Sequence, residues 1–283
     1  MSKEENKETP KLTNEKLLAI VKEVEGTDNV ELVTSNTKSA TSAGENYSST
    51  VLCIDIEAKV NGDTKEYHWI AKIPPSDPAR IPFNRGLKME EKEISFYKEL
   101  IPALKNYIKE KGVDIDLNFP NCWYTEFHED PLKGSIIIMD NMVSRGYTDA
   151  VEKKKGLGLD YACMAIAELA RLHAASYAYF KSHPGGFSEA IQKHRLVSTD
   201  YAFGEPSEDF KKIISNFDVQ GKNAAKDLIE AVQEPGQDLL GAFERWTTEV
   251  NPTDLQTELF ACKFDTFKVL CHGDPWFNNM LFE

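Results

Sequence analysis

An alternating segment that turns back at an Asn-Gly pair constrains the fold most. Over residues 52–60 apolar and polar side chains alternate, and the apolar ones are Leu52, Ile54, Ile56, Ala58 and Val60. A period of two predicts a strand with one buried face. Asn61-Gly62 opens a four-residue polar connection, and both residues tolerate the positive φ angles of a hairpin. The returning strand is predicted over residues 65–73, so the chain must contain antiparallel sheet.

Helical patterns flank this hairpin. Thr13 precedes an amphipathic segment over residues 15–24, which predicts a short helix, and the polar stretch over residues 35–50 predicts a loop. After the hairpin, apolar residues recur with gaps of three and four and predict one long helix. Pro102 should kink or split that helix near Leu100.

Further strands are predicted over residues 118–124, 135–139 and 267–271. The second of them should be central in its sheet, because the run Ile136–Met139 is apolar on both faces.

The chain becomes helical in its second half. A helix is predicted from Asp160, as its N-cap, to residue 180, with Ile166, Leu169, His173, Ser176 and Phe180 on one face. Residues 184–210 are predicted to be irregular, followed by helices over residues 208–232 and 236–250.

This order of elements predicts the fold class. A strand-rich first half followed by a helical second half is typical of an α+β fold with two lobes, here over residues 1–141 and 142–283.

Charge and cysteine usage limit the possible partners. The chain has 33 Lys and Arg against 46 Asp and Glu, a formal net charge of −13, whereas nucleic acids and anionic membranes bind basic surfaces. No stretch reaches the ~20 apolar residues of a membrane-spanning helix. The five cysteines are scattered without a C-x-x-C motif, which favours free thiols. We therefore expect a cytoplasmic protein that binds neither nucleic acid nor membranes.

The segment VLCHGDPWFNNMLF, residues 269–282, carries the most chemical information. An apolar run leads into His272, Gly273 and Asp274, and Asn279 follows five residues later. In such a loop Asp274 can accept a proton from an attacking hydroxyl, and Asn279 can bind a magnesium ion that bridges phosphates. The alternative is an Asx-rich turn, since Gly, Asp and Asn are turn residues. The complete string between apolar segments favours the chemical role.

Lys72 and Glu93 form a second candidate pair. Lys72 ends a predicted strand and Glu93 lies on the helix that follows. A strand lysine that pairs with a helix glutamate can bind the α and β phosphates of ATP. Each residue alone could equally be a solvated surface charge. The order of lysine strand, glutamate helix and aspartate loop favours the nucleotide site.

A third candidate is the loop Gly44–Ser49, directly before the first hairpin strand. Its small and hydroxyl residues could close over phosphates through backbone N–H groups. It lacks the G-x-G-x-x-G spacing, so a plain polar loop is an equal alternative.

Together these strings resemble the ecdysteroid kinase-like family, which is similar to choline and aminoglycoside kinases and has a protein-kinase-like fold. The matching strings are GENYSS (44–49), the strand that ends in Lys72, EISFY (93–97), IIIMDN (136–141), LARLHAASYA (169–178) and HGDPWFNN (272–279). The resemblance implies a kinase that uses ATP and Mg²⁺, with an antiparallel sheet and a helix in the first lobe and a mostly helical second lobe. It also implies a steroid-like or other bulky apolar alcohol as the acceptor, such as an ecdysteroid.

The resemblance assigns roles to individual residues. Asp274 would be the catalytic base and Asn279 a magnesium ligand, while Lys72 would bind the ATP phosphates and Glu93 would orient Lys72. A further set would contact the nucleotide: Asn46, Tyr47, Ser48 and Ser49 over the phosphates, and Met139 and Asn141 at the adenine through the hinge backbone.

His173 resembles the family's helix histidine, which supports the catalytic loop, and we expect it to be structural. In the family a second metal-binding aspartate follows the His-Gly-Asp loop. The sequence ends at Glu283, before any such residue. We therefore expect a fragment or a truncated product, with an incomplete second lobe and little or no kinase activity in the 283-residue chain.

Two other functions are open at this point. A non-catalytic pseudokinase or small-molecule binding module would fit the lack of the second aspartate. A hydrolase built on His272 and Asp274 is disfavoured. Adjacent strand residues such as Cys271 and His272 point in opposite directions, and neither G-x-S-x-G nor H-E-x-x-H occurs.

Overall fold

The computed structural model describes residues 12–40, 49–74, 81–130, 134–148, 156–194, 208–249, 267–275 and 279–283. A five-stranded antiparallel sheet dominates the first half. Its spatial order is β1-β2-β3-β5-β4, with β1 Val30–Ser39, β2 Thr50–Val60, β3 Asp63–Ile73, β4 Cys122–Glu126 and β5 Ile136–Asp140.

The predicted hairpin is confirmed as β2 and β3. Its connection has two residues rather than four, because Val60 pairs directly with Asp63. Asn61 and Gly62 have φ angles of 52° and 95°, so both central residues of the turn have the positive φ that a tight two-residue hairpin requires.

Strand β1 corrects the prediction of a loop over residues 35–50. Residues 35–39 belong to β1, which pairs with β2 from Val30↔Val60 to Ser39↔Leu52. The strand lies at the sheet edge and its side chains are mostly exposed. It therefore lacks the apolar alternation by which a strand is recognised in sequence.

Strand β5 is central, as predicted. It lies between β3 and β4, and all five of its residues are buried. Ile136 and Ile138 join a core that the sheet forms with helix α1, Asn14–Glu25. The N-cap of α1 is Thr13, whose side chain accepts a hydrogen bond from the Lys16 N–H, as its position in the sequence predicts.

Seven further helices occur in the described residues. They are α2 Ile81–Gly86, α3 Met89–Ser95, α4 Ile101–Glu110, α5 Leu159–Lys181, α6 Gly186–Lys193, α7 Glu208–Val232 and α8 Leu239–Glu249. Helix α6 lies in the segment that was predicted to be irregular, while α7 and α8 lie where helices were predicted.

The predicted break in the long helix is a π-helical turn, Phe96–Leu100, between α3 and α4. The Ile101 N–H donates to the Phe96 carbonyl, five residues earlier. Pro102 has no N–H to give to the preceding turn, and a widened turn relieves the clash of its ring. The backbone is therefore helical without interruption from α3 into α4.

Helix α5 differs from its prediction in two respects. Gly158, and not Asp160, is the N-cap, so Asp160 lies in the first turn, where its charge complements the helix dipole. The buried residues are Leu172, Ala175, Ser176, Tyr179 and Phe180, whereas Ile166 is 65% exposed. The predicted face was thus wrong for the first half of the helix.

A second core joins α4, α5 and α6. Leu104 of α4, Leu172 and Phe180 of α5 and Ala190 of α6 are buried in it together with Leu270. Residues 267–271 do not form the predicted strand. They pack onto α5 instead, because Leu270 is anchored by Ser176 rather than by a sheet partner.

The α+β class is confirmed. None of the helices in the described part of the chain is both long and apolar enough to cross a membrane.

Acid should destabilise the second core through His194. This histidine is 4% exposed, and its Nε2 lies 3.1 Å from the Tyr179 hydroxyl. Burial lowers its pKa, and Lys193 adds to that effect. The unfolded chain takes up this proton near pH 6.5, whereas the folded chain resists it, so stability falls as the pH drops below about 6.5. In His194→Gln the decline in melting temperature from pH 7 to pH 5 should be smaller; an unchanged decline would contradict this.

Candidate nucleotide-binding and phosphoryl-transfer site

Strand β3 presents Lys72 on the face of the sheet that is turned away from the α1 core. Trp69, Ala71 and Ile73 alternate with it and are buried. Lys72 pairs with Val51 of β2 and with Ile137 of β5. A lysine held in the middle of three strands has a fixed position, which is what binding of a phosphate requires.

Glu93 of α3 meets Lys72. The Lys72 ammonium donates to the Glu93 carboxylate, and the two side chains are 29% and 31% exposed. The predicted strand-to-helix pair is therefore formed. Its partial exposure leaves the ammonium accessible to a ligand.

Helix α3 is fixed against β5 one turn before Glu93. The Ser135 hydroxyl donates to the Glu90 carboxylate over 2.9 Å, and the Arg85 guanidinium lies 3.5 Å from the same carboxylate. Glu90 and Glu93 both line a small cavity, which Ser49 and Lys72 also line. Ser49 thus lies beside the lysine; the other predicted loop residues, Asn46, Tyr47 and Ser48, lie outside the described residues.

The predicted catalytic loop starts from an anchored residue. The Leu270 N–H donates to the Ser176 hydroxyl of α5 over 3.0 Å. Ser176 is fully buried and donates in turn to the His173 carbonyl over 3.1 Å. One contact between α5 and this loop therefore runs through Ser176, and the supporting role of the His173 side chain stays a prediction.

Asp274 and Asn279 lie together in the loop. The Asn279 side-chain amide donates to the Asp274 carboxylate over 3.1 Å and to its backbone carbonyl over 3.0 Å. Gly273 has a φ of 84°, a conformation that other residues rarely adopt, so the turn that exposes Asp274 requires this glycine.

His272 links the loop electrostatically to the sheet. The Asp274 N–H donates to His272 Nδ1 over 3.3 Å. Desolvation by the surrounding protein lowers the pKa of His272. The nearby Lys72 lowers it further, while Asp274 and Glu93 raise it. The charges of Lys72, Glu93 and Asp274 therefore act on His272, which lies two residues before Asp274.

The end of the loop is tied to the segment after β5. Thr148 and Phe282 exchange two backbone hydrogen bonds, of 2.8 Å and 2.9 Å. The Phe282 ring also packs edge-on against Tyr161 of α5 at 4.8 Å. Asn279 is therefore followed within three residues by a second anchor.

The predicted hinge residues partly belong to the sheet. Met139 pairs with Ile70 of β3, and the Asn141 N–H donates to the His68 carbonyl over 3.0 Å. Adenine contacts at Met139 and Asn141 would thus use the backbone N–H and C=O groups that the sheet does not bond, and these contacts stay predictions.

Sequence reasoning missed the residues that hold the site in place. Ser176 was placed on one helix face but not connected to the loop, and Glu90 was not identified as a residue of the site. Its burial could not be predicted, because its partners Ser135 and Arg85 come from other elements. Asp140 was likewise identified only as part of the string IIIMDN.

Replacing Ser176 should loosen the loop. In Ser176→Ala the Leu270 N–H loses its acceptor in a buried place, which costs about 1–3 kcal/mol of folding free energy. Urea unfolding measures the loss. Ser182→Ala is the control, since its hydroxyl also donates to an α5 carbonyl, that of Tyr179 at 2.7 Å, but accepts no hydrogen bond from the described loop residues. Equal losses in the two variants would contradict the anchoring role.

The side chains of the two candidate pairs supply a cation, a carboxylate and an amide oxygen. Lys72 can bind phosphate oxygens, and the carboxylate of Asp274 can accept a proton. The Asn279 amide oxygen is a ligand of the kind that Mg²⁺ prefers, so this residue fits a magnesium ion that is shared with phosphates.

Comparison with known proteins yields one match. The model of the ecdysteroid kinase-like family matches residues 43–283, most of the chain and all of the candidate site. No curated protein and no solved structure matches.

Proposed function

Because the chain belongs to the ecdysteroid kinase-like family, we propose that it carries the site of an ATP-dependent phosphotransferase with an alcohol acceptor. Family membership itself indicates a small-molecule kinase-like function. The observations that carry the more specific proposal are the ion pair Lys72–Glu93 and the hydrogen bond from the Asn279 amide to the Asp274 carboxylate. They support one nucleotide site made from a strand lysine and an acidic loop.

The proposed reaction needs few groups from the protein. Lys72, oriented by Glu93, binds and neutralises the ATP phosphates. Asp274 accepts the proton of the acceptor hydroxyl while the hydroxyl oxygen bonds to the γ-phosphorus. The bond from that phosphorus to the bridging oxygen breaks, and ADP leaves. Positioning and electrostatic stabilisation supply most of the rate.

Asn279 would hold Mg²⁺ in this proposal. The hydrogen bonds from the Asn279 amide nitrogen to Asp274 fix the amide group, so that its oxygen is the ligand atom. When bound, the ion neutralises charge on the phosphates.

For the acceptor we propose a steroid-like or other bulky apolar alcohol, of which an ecdysteroid is one example. An aromatic surface near the loop supports this choice. The rings of Tyr177 and Phe267 lie 4.9 Å apart, and Phe267 is 64% exposed. Tyr179 and Phe180 are buried and belong to the core instead.

We also place the protein in the cytoplasm, because Cys53, Cys122, Cys163 and Cys271 are free thiols.

Thermal unfolding with added nucleotide tests the proposal. ATP with Mg²⁺ should raise the melting temperature, since a ligand at 100 times its Kd stabilises the folded state by about 2.7 kcal/mol. ATP without Mg²⁺ should act more weakly. No stabilisation by nucleotide, together with stabilisation by an ecdysteroid alone, would replace this proposal with a non-catalytic binding module.

A further inference from the structure

The Asp140 side chain, at the end of β5, is a buried carboxylate with hydrogen-bond donors at both of its oxygens. Asp140 is 3% exposed. Its Oδ2 accepts from the backbone N–H of Asn121 at 3.1 Å and from the Asn121 side chain at 2.9 Å. Its Oδ1 accepts from Trp123 Nε1 at 2.8 Å and lies 2.9 Å from an Arg145 nitrogen.

The four donors come from two different parts of the chain. Asn121 and Trp123 belong to β4 or directly precede it, whereas Arg145 lies in the 3₁₀ turn Val143–Arg145 that follows β5. The carboxylate therefore binds the sheet to the segment that leaves it. A buried charge without any partner is strongly unfavourable, and each of the four donors stabilises the charged form of Asp140.

The same segment is tied at its other end to the catalytic loop through Thr148 and Phe282. Only residues 141–147 lie between Asp140 and Thr148 in the chain. The position of this short segment, relative to Lys72 on one side and Asn279 on the other, is thus fixed at two points.

We propose that Asp140 and Arg145 are positioning residues that hold residues 141–143 in the place where the purine base binds. This inference rests on the proposed nucleotide site. Loss of the Arg145 contact loosens the turn Val143–Arg145 from the sheet, while the Asn141 N–H keeps its bond to the His68 carbonyl and β3, α3 and the loop keep their own bonds. Binding of the base should suffer, and binding of the phosphates should not.

Arg145→Met tests this assignment. The Arg145 side chain is half exposed, and Asp140 keeps its three N–H donors from Asn121 and Trp123 in this variant. The chain should therefore stay folded with a lower melting temperature, which thermal unfolding measures. Calorimetry with Mg²⁺ present should show ATP binding weakened about tenfold and the preference for ATP over GTP reduced, while inorganic tripolyphosphate, which has no base, binds within about twofold of wild type. Arg145→Lys should recover part of the ATP affinity, because an ammonium group can still pair with Asp140.

Arg171→Met is the matched control. Arg171 is similarly exposed and also forms one ion pair, with Glu168 on α5, so its loss should change neither ATP affinity nor purine preference. Unchanged ATP binding in Arg145→Met would overturn the inference, and so would equal losses of ATP and tripolyphosphate. If the wild-type chain binds neither ligand, the proposed function itself fails and this inference with it.

Discussion

Lys72→Met weakens the binding of Mg·ATP by about 30-fold or more, corresponding to about 2 kcal/mol. The methionine keeps the apolar part of the side chain but removes the ammonium that Glu93 orients. It also leaves the Glu93 carboxylate facing the phosphates, and like charges brought together add to the loss. Isothermal titration calorimetry measures the change.

The chain offers a control on the same strand. Lys65 of β3 pairs with Glu25 at 2.6 Å, at the opposite end of the strand from Lys72. Lys65→Met removes an equivalent ion pair and should leave ATP affinity unchanged. Equal affinities in wild type and Lys72→Met would remove Lys72 from the nucleotide site.

Asp274→Asn lowers the slow phosphoryl transfer that we expect of this chain by about 10²–10⁴-fold, the usual contribution of a general base. The amide cannot accept the hydroxyl proton, but its oxygen can still accept the hydrogen bond that Asn279 donates to Asp274. Nucleotide affinity should therefore stay within a few-fold of wild type. Single-turnover assays with protein in excess over γ-labelled ATP detect even slow transfer to an ecdysteroid.

Asp238→Asn serves as the control for that variant. Asp238 is an exposed partner of Arg245, and its replacement should leave transfer unchanged. If Asp274→Asn transfers phosphate at the wild-type rate, the proton acceptor is a different group.

Elements with a local signal could be predicted from the sequence. The β2–β3 hairpin follows from alternation and an Asn-Gly turn, and the central position of β5 follows from apolar residues on both faces. Strand β1 could not be predicted, because its strand structure depends on pairing with β2 and not on its own side chains.

In the candidate site, too, some contacts could be predicted from the sequence and others could not. The order of motifs along the chain predicted that Lys72 meets Glu93 and that Asp274 lies with Asn279, and both pairs are formed. The bond from Leu270 to Ser176 joins residues 94 positions apart. Contacts between residues so far apart give no periodic pattern in the sequence, so the residues that anchor a site can be identified only from the structure.

Site-resolved labelling of Lys72 tests the shared nucleotide site most directly. An acyl-phosphate derivative of ATP should acylate the Lys72 amine, and ATP with Mg²⁺ should protect it. In Asn279→Ala the same protection should require severalfold more ATP, since the loop would then contribute less to binding. Labelling confined to other lysines, or protection of Lys72 that is independent of Asn279, would contradict a site built jointly from the sheet and the loop.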